Sequence, residues 1–225
     1  MEVKTKIKFA KFAYRILFGT LVKFYTHHTP IWIMKMFPQL IWQKQVEEKI
    51  LYITFDDGPC PEVTDYVLEL LNQYAAKATF FCVGSNVIKY PELYNTVLQN
   101  GHGVGNHTQQ HTNGFLSKNK NYYDDITTAA NSINSKLFRP PYGKIKTSQI
   151  NYLKKYYNIV MWDFLTADFD PDLDIEICKK KMEKHIKPGS IIVFHDSIKA
   201  NHNLRILLPY LLHKYHHLSY QFHSL

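Results

Sequence analysis

Residues 50–59 read Ile50-Leu51-Tyr52-Ile53-Thr54-Phe55-Asp56-Asp57-Gly58-Pro59, a β-rich run that ends in two carboxylates and a Gly-Pro turn. Branched and aromatic residues bounded by a turn signal are the mark of a strand. Adjacent carboxylates on an extended chain point to opposite sides, but a turn at Gly58-Pro59 lets both face one site. One could then hold a metal ion while the other takes a proton. On its own, Asp-Asp-Gly-Pro reads first as a plain turn.

Outward from this run, six more β-rich stretches follow at 78–83, 103–105, 136–139, 158–162, 190–194 and 219–222. Helical patterns lie between them at 62–74, 92–100, 122–135, 147–155, 175–186 and 201–213, most with apolar residues at i, i+3 and i+4. Val63, Val67, Leu70 and Leu71 form one such face. Pro61 and Pro91 suit helix starts, and Gly101 suits a helix end. Alternating strands and helices predict βα units around a parallel sheet, in a single domain. Every polar cluster then falls at the C-terminal end of a strand: Asp56-Asp57, Asn106-His107, Arg139, and His195-Asp196. Parallel α/β barrels build their active sites there.

His107-Thr108-Gln109-Gln110-His111 places two imidazoles four residues apart. On a helical turn their Cβ atoms would come within about 5–6 Å and both rings could reach one cation. The spacing alone is weak evidence, since His213 and His217 share it and read as a solvated pair. Asp57 strengthens the case, because one carboxylate and two imidazoles form a three-ligand set that leaves a position open for water. Zinc is the first choice of cation; the mixed oxygen and nitrogen donors would also accept cobalt, nickel or manganese.

The formal charge of +8 is concentrated in the first 25 residues, where Lys4, Lys6, Lys8, Lys11, Arg15 and Lys23 face only Glu2. No basic stripe interleaved with aromatics occurs in the body of the chain, so nucleic acid is not expected as a partner. Residues 9–25 are apolar but broken by Lys11, Arg15 and Lys23, short of the ~20 apolar residues that a spanning helix needs. They lack a clean export signal; a helix packed against the barrel or a poorly ordered extension is the first reading, and peripheral contact with a membrane through residues 1–25 the second. A cell-envelope or membrane-associated location is favoured over a cytoplasmic one. Residues 1–49, with Pro30, Pro38, Trp32, Phe37 and Trp42, are expected to wrap or precede the barrel and to contribute nothing to the active site. Cys60, Cys82 and Cys178 show no metal or redox spacing and read as buried thiols.

Taken in order, Thr54-Phe55-Asp56-Asp57-Gly58-Pro59, His107-Thr108-Gln109-Gln110-His111, Arg139-Pro140-Pro141-Tyr142-Gly143 and the late His195 resemble the motifs of the polysaccharide deacetylases, carbohydrate esterase family 4 (NodB homology). The resemblance covers residues 50–225, nearly everything but the N-terminal extension 1–49. It implies a distorted (β/α)7 barrel and a metal-dependent hydrolase that removes acetyl groups from a carbohydrate.

The resemblance also implies roles. Asp57, His107 and His111 would hold the metal, Asp56 would be the general base and His195 the general acid. Arg139 would orient Asp56, Asp168 would hydrogen-bond His195, and the backbone N–H of Tyr142 would stabilise the oxyanion. Pro141, Tyr142, Phe169 and Val193 would line the oxyanion and substrate groove. Phe169 stands where relatives often carry Trp, and Val193 where Leu is common, which bears on substrate choice. An N-acetylhexosamine polymer or oligomer is the leading substrate. O-acetyl ester hydrolysis on xylan or another glycan, and a non-catalytic sugar-binding or membrane-associated module, are the alternatives. The sequence leaves the oligomeric state open.

Overall fold

The computed structural model describes residues 25–225. Eight strands form a curled parallel sheet: β1 (Ile50–Asp56), β2 (Ala78–Cys82), β3 (Gly103–Asn106), β4 (Leu137–Phe138), β5 (Asn158–Ile159), β6 (Phe164–Leu165), β7 (Ile191–His195) and β8 (Gln221–Phe222). Their order is β5-β4-β3-β2-β1-β7-β6, with β8 beside the start of β1. The helices are α1 (Ile31–Met36), α2 (Val63–Gln73), α3 (Gly84–Lys89), α4 (Pro91–Gln99), α5 (Asn119–Ala130), α6 (Thr147–Leu153), α7 (Ile175–His185) and α8 (Asn201–His217). The architecture is the curled βα half-barrel that the alternating pattern predicts.

Three details differ from the sequence reading. Residues 158–162 do not form one strand: β5 stops at Ile159, and β6, which was not anticipated, begins at Phe164. α3 was also unexpected, and α8 continues to His217 through Pro209. The stripe Leu204, Leu207, Leu208, Leu211, Leu212 and Tyr215, all buried, holds α8 against the sheet across that proline.

Strand alternation separates the two faces of the sheet. Leu51, Ile53 and Phe55 of β1, with Ile192 and Phe194 of β7, pack outward into the main helix-covered core, where Phe55 stacks on Phe80. Each such buried side chain contributes roughly 1.5–3 kcal/mol. Tyr52 and Ile191 face inward with Phe81 and Val160. On β1 the same alternation turns Thr54 and Asp56 toward the barrel interior, where both meet Arg139. A one-residue slip of β1 would drive a hydroxyl and a carboxylate into the apolar layer.

β5 and β6 end the sheet path and are not paired with each other. The chain N-terminal to β1 covers both edges. Ile41 exchanges backbone hydrogen bonds with Ile159 and Met161, Thr29 donates to Asp163, His27 accepts from Leu165, and Lys44 donates to Gly189. At Gly189 (φ +84) an added Cβ would lie 1.9 Å from the Lys44 carbonyl oxygen, so only glycine permits that approach. Residues 25–49 are thus laced into the sheet edge. The basic segment for which membrane contact was the second reading lies, apart from Tyr25, outside the described residues; among those that are described, no helix is long and apolar enough to cross a membrane.

Candidate active site

The C-terminal ends of β1, β3, β4 and β7 converge on a groove of about 630 Å³. Asp56, the last residue of β1, is buried, and its Oδ1 accepts a 2.7 Å hydrogen bond from Arg139 Nη1. Arg139 is fully buried, and its three nitrogens make four hydrogen bonds. Nη1 also donates to Thr54 Oγ1 at 2.7 Å, Nη2 to the Met161 carbonyl at 3.0 Å, and Nε to the Val160 carbonyl at 3.3 Å. The guanidinium lies 4.1 Å from the centre of the Phe81 ring. Such a set of partners fixes one orientation of the Asp56 carboxylate.

Asp57 turns away from the strand at φ 83. Its Oδ1 lies 3.1 Å from His111 Nε2 and 3.7 Å from His107 Nε2, is buried, and has no hydrogen-bond partner. The ligand atoms of these three residues all lie within 4.8 Å of one another, the only such cluster among the described residues. The His107 Nδ1–H donates to the Arg139 carbonyl at 2.8 Å, which leaves Nε2 as a bare lone pair aimed at Asp57. Burial pushes the His107 pKa down to about 4, so the ring is neutral at pH 7, the form that ligates a metal. His111 Nδ1 lies 3.1 Å from the Tyr142 hydroxyl. An orphaned carboxylate oxygen beside two imidazole nitrogens, one held in the ligating tautomer, fits a divalent cation.

The helical turn expected for residues 107–111 is absent. They form a loop in which Thr108 (φ 66) and His111 (φ 53) adopt left-handed conformations. The Asn106 side chain accepts from the Thr108 N–H, and the Thr108 hydroxyl accepts from the Thr112 N–H. Gly84 and Ser85, at the start of α3, donate to the Thr108 and Gln109 carbonyls. The loop brings the two rings to 5.0 Å between centroids without a helix.

Across the groove, His195 closes β7. Its Nδ1 lies 2.7 Å from Asp168 Oδ1, and its backbone N–H donates to Asp168 Oδ2 at 2.8 Å. Burial opposes protonation of His195, but the fully buried Asp168 carboxylate outweighs it and lifts the pKa to about 9. Phe169 sets its ring edge-on to His195 at 5.0 Å, and Val193 lies buried behind it, lining the groove. Tyr142 adopts φ 61 in the 3₁₀ turn Pro141–Gly143 and is 60% exposed at the groove; Pro141 is buried at the start of that turn and does not line the groove.

Over residues 43–159 the chain matches the polysaccharide deacetylase family. It is 36% identical over 162 residues to a peptidoglycan-N-acetylglucosamine deacetylase of Bacillus cereus, covering 69% of this chain and 76% of that one. The chain belongs to the polysaccharide deacetylases. It is also 34% identical to a chitooligosaccharide deacetylase of Azorhizobium caulinodans, over 65% of this chain and 73% of the relative. A crystal structure of a peptidoglycan N-acetylglucosamine deacetylase in complex with 4-naphthalen-1-yl-N-oxidanyl-benzamide superposes with a TM-score of 0.79 at 26% identity, covering 88% of this chain and 95% of that one. As a polysaccharide deacetylase the chain is a hydrolase on a (β/α)7-type barrel.

Two features of the site escaped the sequence reading. Tyr25, Thr26, Thr29, Pro30, Ile33 and Trp42 line the groove, so the segment expected to stay clear of it forms a wall instead. Asp196, fully buried, accepts from the Gly58 N–H at 3.0 Å and from the Thr64 hydroxyl at 2.6 Å, clamping the turn that carries Asp57. A Cβ at Gly58 would lie 2.0 Å from an Asp196 carboxylate oxygen, which is why glycine stands there. Its position directly after His195 was the one available signal. Cys82 and Cys178 are buried and Cys60 partly so, and none is paired.

Proposed function

We propose that this polysaccharide deacetylase is a metal-dependent de-N-acetylase of an N-acetylhexosamine polymer or oligomer, with zinc as its first-choice cation and cobalt, nickel or manganese as substitutes. The observation that carries the proposal is the partnerless Asp57 Oδ1 facing His107 and His111, flanked by the Asp56–Arg139 and His195–Asp168 pairs. The names of the peptidoglycan and chitooligosaccharide deacetylases support the amino-sugar substrate. The catalytic unit, on this reading, begins at or before Tyr25 rather than at Ile50.

A cation held by Asp57, His107 and His111 would polarise the acetyl carbonyl and acidify a nearby water. Asp56, oriented by Arg139, takes the proton of the attacking water. The backbone N–H of Tyr142 donates to the carbonyl oxygen as negative charge develops there. His195, protonated at neutral pH through Asp168, gives its proton to the departing amine nitrogen. Acetate and the free amino sugar leave.

Acetate release from N-acetylglucosamine oligomers, peptidoglycan and acetylated xylan, measured in parallel on metal-reconstituted protein, tests this reading. Release from an amino-sugar polymer that both Asp56→Asn and His195→Ala abolish is expected. Release from xylan alone would make the enzyme an O-acetyl esterase, and release from none would return the chain to the non-catalytic alternative.

The Asp168–His195 pair makes a separate prediction. His195 must carry its proton to act, and its pKa is raised to about 9, so activity is present below that pH and falls as pH rises through it. Asp168→Asn removes the carboxylate that offsets burial, so the alkaline limb of kcat/KM should move down to about 6.5, the ordinary value, or below. At pH 8 that shift corresponds to a roughly thirtyfold loss of the protonated form. A limb that stays near 9 in the variant would rule out this pairing as the source of the acid.

A further inference from the structure

Large apolar side chains crowd the mouth of the groove from five separate segments. Trp32 sits on α1, between the groove-lining Pro30 and Ile33, and no residue of that helix is buried. Ile88 lies on α3, the helix whose Asn86 side chain donates to the Asp57 carbonyl at 2.8 Å. Leu116 follows the loop that carries His107 and His111, and Lys146 Nζ ties that stretch to the chain after β4 by donating to the Ser117 carbonyl at 2.6 Å. Tyr142 and Ile198 stand on the turns after β4 and β7, Ile198 directly before the groove-lining Lys199. All five are between 60% and 86% exposed. Single exposed apolar residues are ordinary on a protein surface, but five around one concavity mark an interaction face.

An exposed lysine follows each of these residues within three positions: Lys35, Lys89, Lys118, Lys144 and Lys199. Among the described residues, none of the five pairs with a carboxylate. Residues 1–24 carry six more cations against Glu2 alone, and they join the described chain at Tyr25, on the groove wall. The basic segment is therefore attached at the same mouth as the apolar rim. Apolar tips beside unpaired cations are the chemistry of a protein that lies on an anionic lipid surface.

We propose that this rim docks the enzyme on an anionic lipid bilayer, its apolar side chains entering the boundary between headgroups and acyl chains and its lysines meeting the headgroup phosphates. Docked in this way, the groove opens onto the headgroup layer. A second copy of the chain fits less well, because a twofold contact through the rim would set the same unpaired lysines against one another. Side chains that project singly around a hollow also suit a deformable surface better than a rigid protein partner. Each lysine near an anionic surface contributes about fivefold in partitioning, and burial of the apolar tips adds to it. The inference goes beyond the de-N-acetylase reading and does not depend on it.

The test sediments the full chain with vesicles of phosphatidylcholine alone and of phosphatidylcholine mixed with anionic phosphatidylglycerol. At low salt the anionic vesicles should take up the protein at least roughly tenfold more strongly than the neutral ones. Bromine-labelled phosphatidylglycerol should quench the tryptophan emission, and Trp32→Phe should remove most of that quenching, because Trp42 and Trp162 lie less exposed in the groove. The triple variant Trp32→Ser/Leu116→Ser/Ile198→Ser should lose about tenfold in partitioning. Its Tm should stay near the parent's, since all three side chains project into solvent. Quenching to which Trp32 contributes nothing, or a triple variant that binds as the parent does, would mean that residues 1–24 alone hold the membrane and overturns the proposal. Absence of binding to the anionic vesicles overturns it too, and a concentration-dependent dimer that the triple variant abolishes, with no vesicle binding, would give the rim to a second copy.

Discussion

Alanine at Asp57 or His107 is expected to abolish metal binding and to reduce acetate release by at least a thousandfold. Each side chain supplies one of three ligand atoms clustered within 4.8 Å, so its loss leaves two ligands where a catalytic site needs three. Even residues that only orient metal ligands commonly change affinity by about 10–100-fold, and removal of a ligand should exceed that. Thermal stability provides a reading independent of activity. A cation at 100 times its Kd stabilises the protein that binds it by about 2.7 kcal/mol. In a chain of this size that raises Tm by roughly 5–10 °C. Zinc should produce the shift in the parent and not in Asp57→Ala or His107→Ala, while the two metal-free variants melt near the metal-free parent. A zinc-induced rise that persists in His107→Ala would place the cation elsewhere.

The residues of this cluster were visible in the sequence, but the reason first given for their proximity was wrong. An i, i+4 pair meets on a helix, and it also meets on a loop with two left-handed residues. Thr108 and His111 take the second route because Asn106 and Thr108 supply side-chain acceptors that replace helical hydrogen bonds. β1 was legible because five of its seven residues, Ile50, Tyr52, Ile53, Thr54 and Phe55, are β-branched or aromatic and the run ends in a turn. β6 was not, since two residues, Phe164 and Leu165, are too few to show a period and form a strand only by lying between β7 and His27. The groove wall from Tyr25 to Trp42 was hidden for a related reason. Its residues share no spacing, and they meet the site only because the sheet leaves edges at β5 and β6 for that segment to close. Local pattern reveals elements; edge closure is a property of the assembled sheet.

Replacement of Arg139 by methionine should be the most destabilising single change at the site, costing about 3–5 kcal/mol and lowering Tm by roughly 8–15 °C. The guanidinium is fully buried, and its removal strips partners from the Asp56 carboxylate, the Thr54 hydroxyl and the Val160 and Met161 carbonyls at once. Lysine keeps the charge but cannot present donors to all four in one plane, so Arg139→Lys should fall between parent and methionine variant. Activity should drop at least a hundredfold in both, because Asp56 loses the bond that aims it. A general packing defect would produce a stability loss too, and the double variant separates the causes. If the cost comes from an uncompensated buried carboxylate, Asp56→Asn in the Arg139→Met background should restore about 1–3 kcal/mol, although Asp56→Asn alone destabilises the parent by breaking the same pair. A double variant no more stable than Arg139→Met would mean that cavity and lost stacking on Phe81 dominate, and that Arg139 serves the barrel interior more than it serves Asp56.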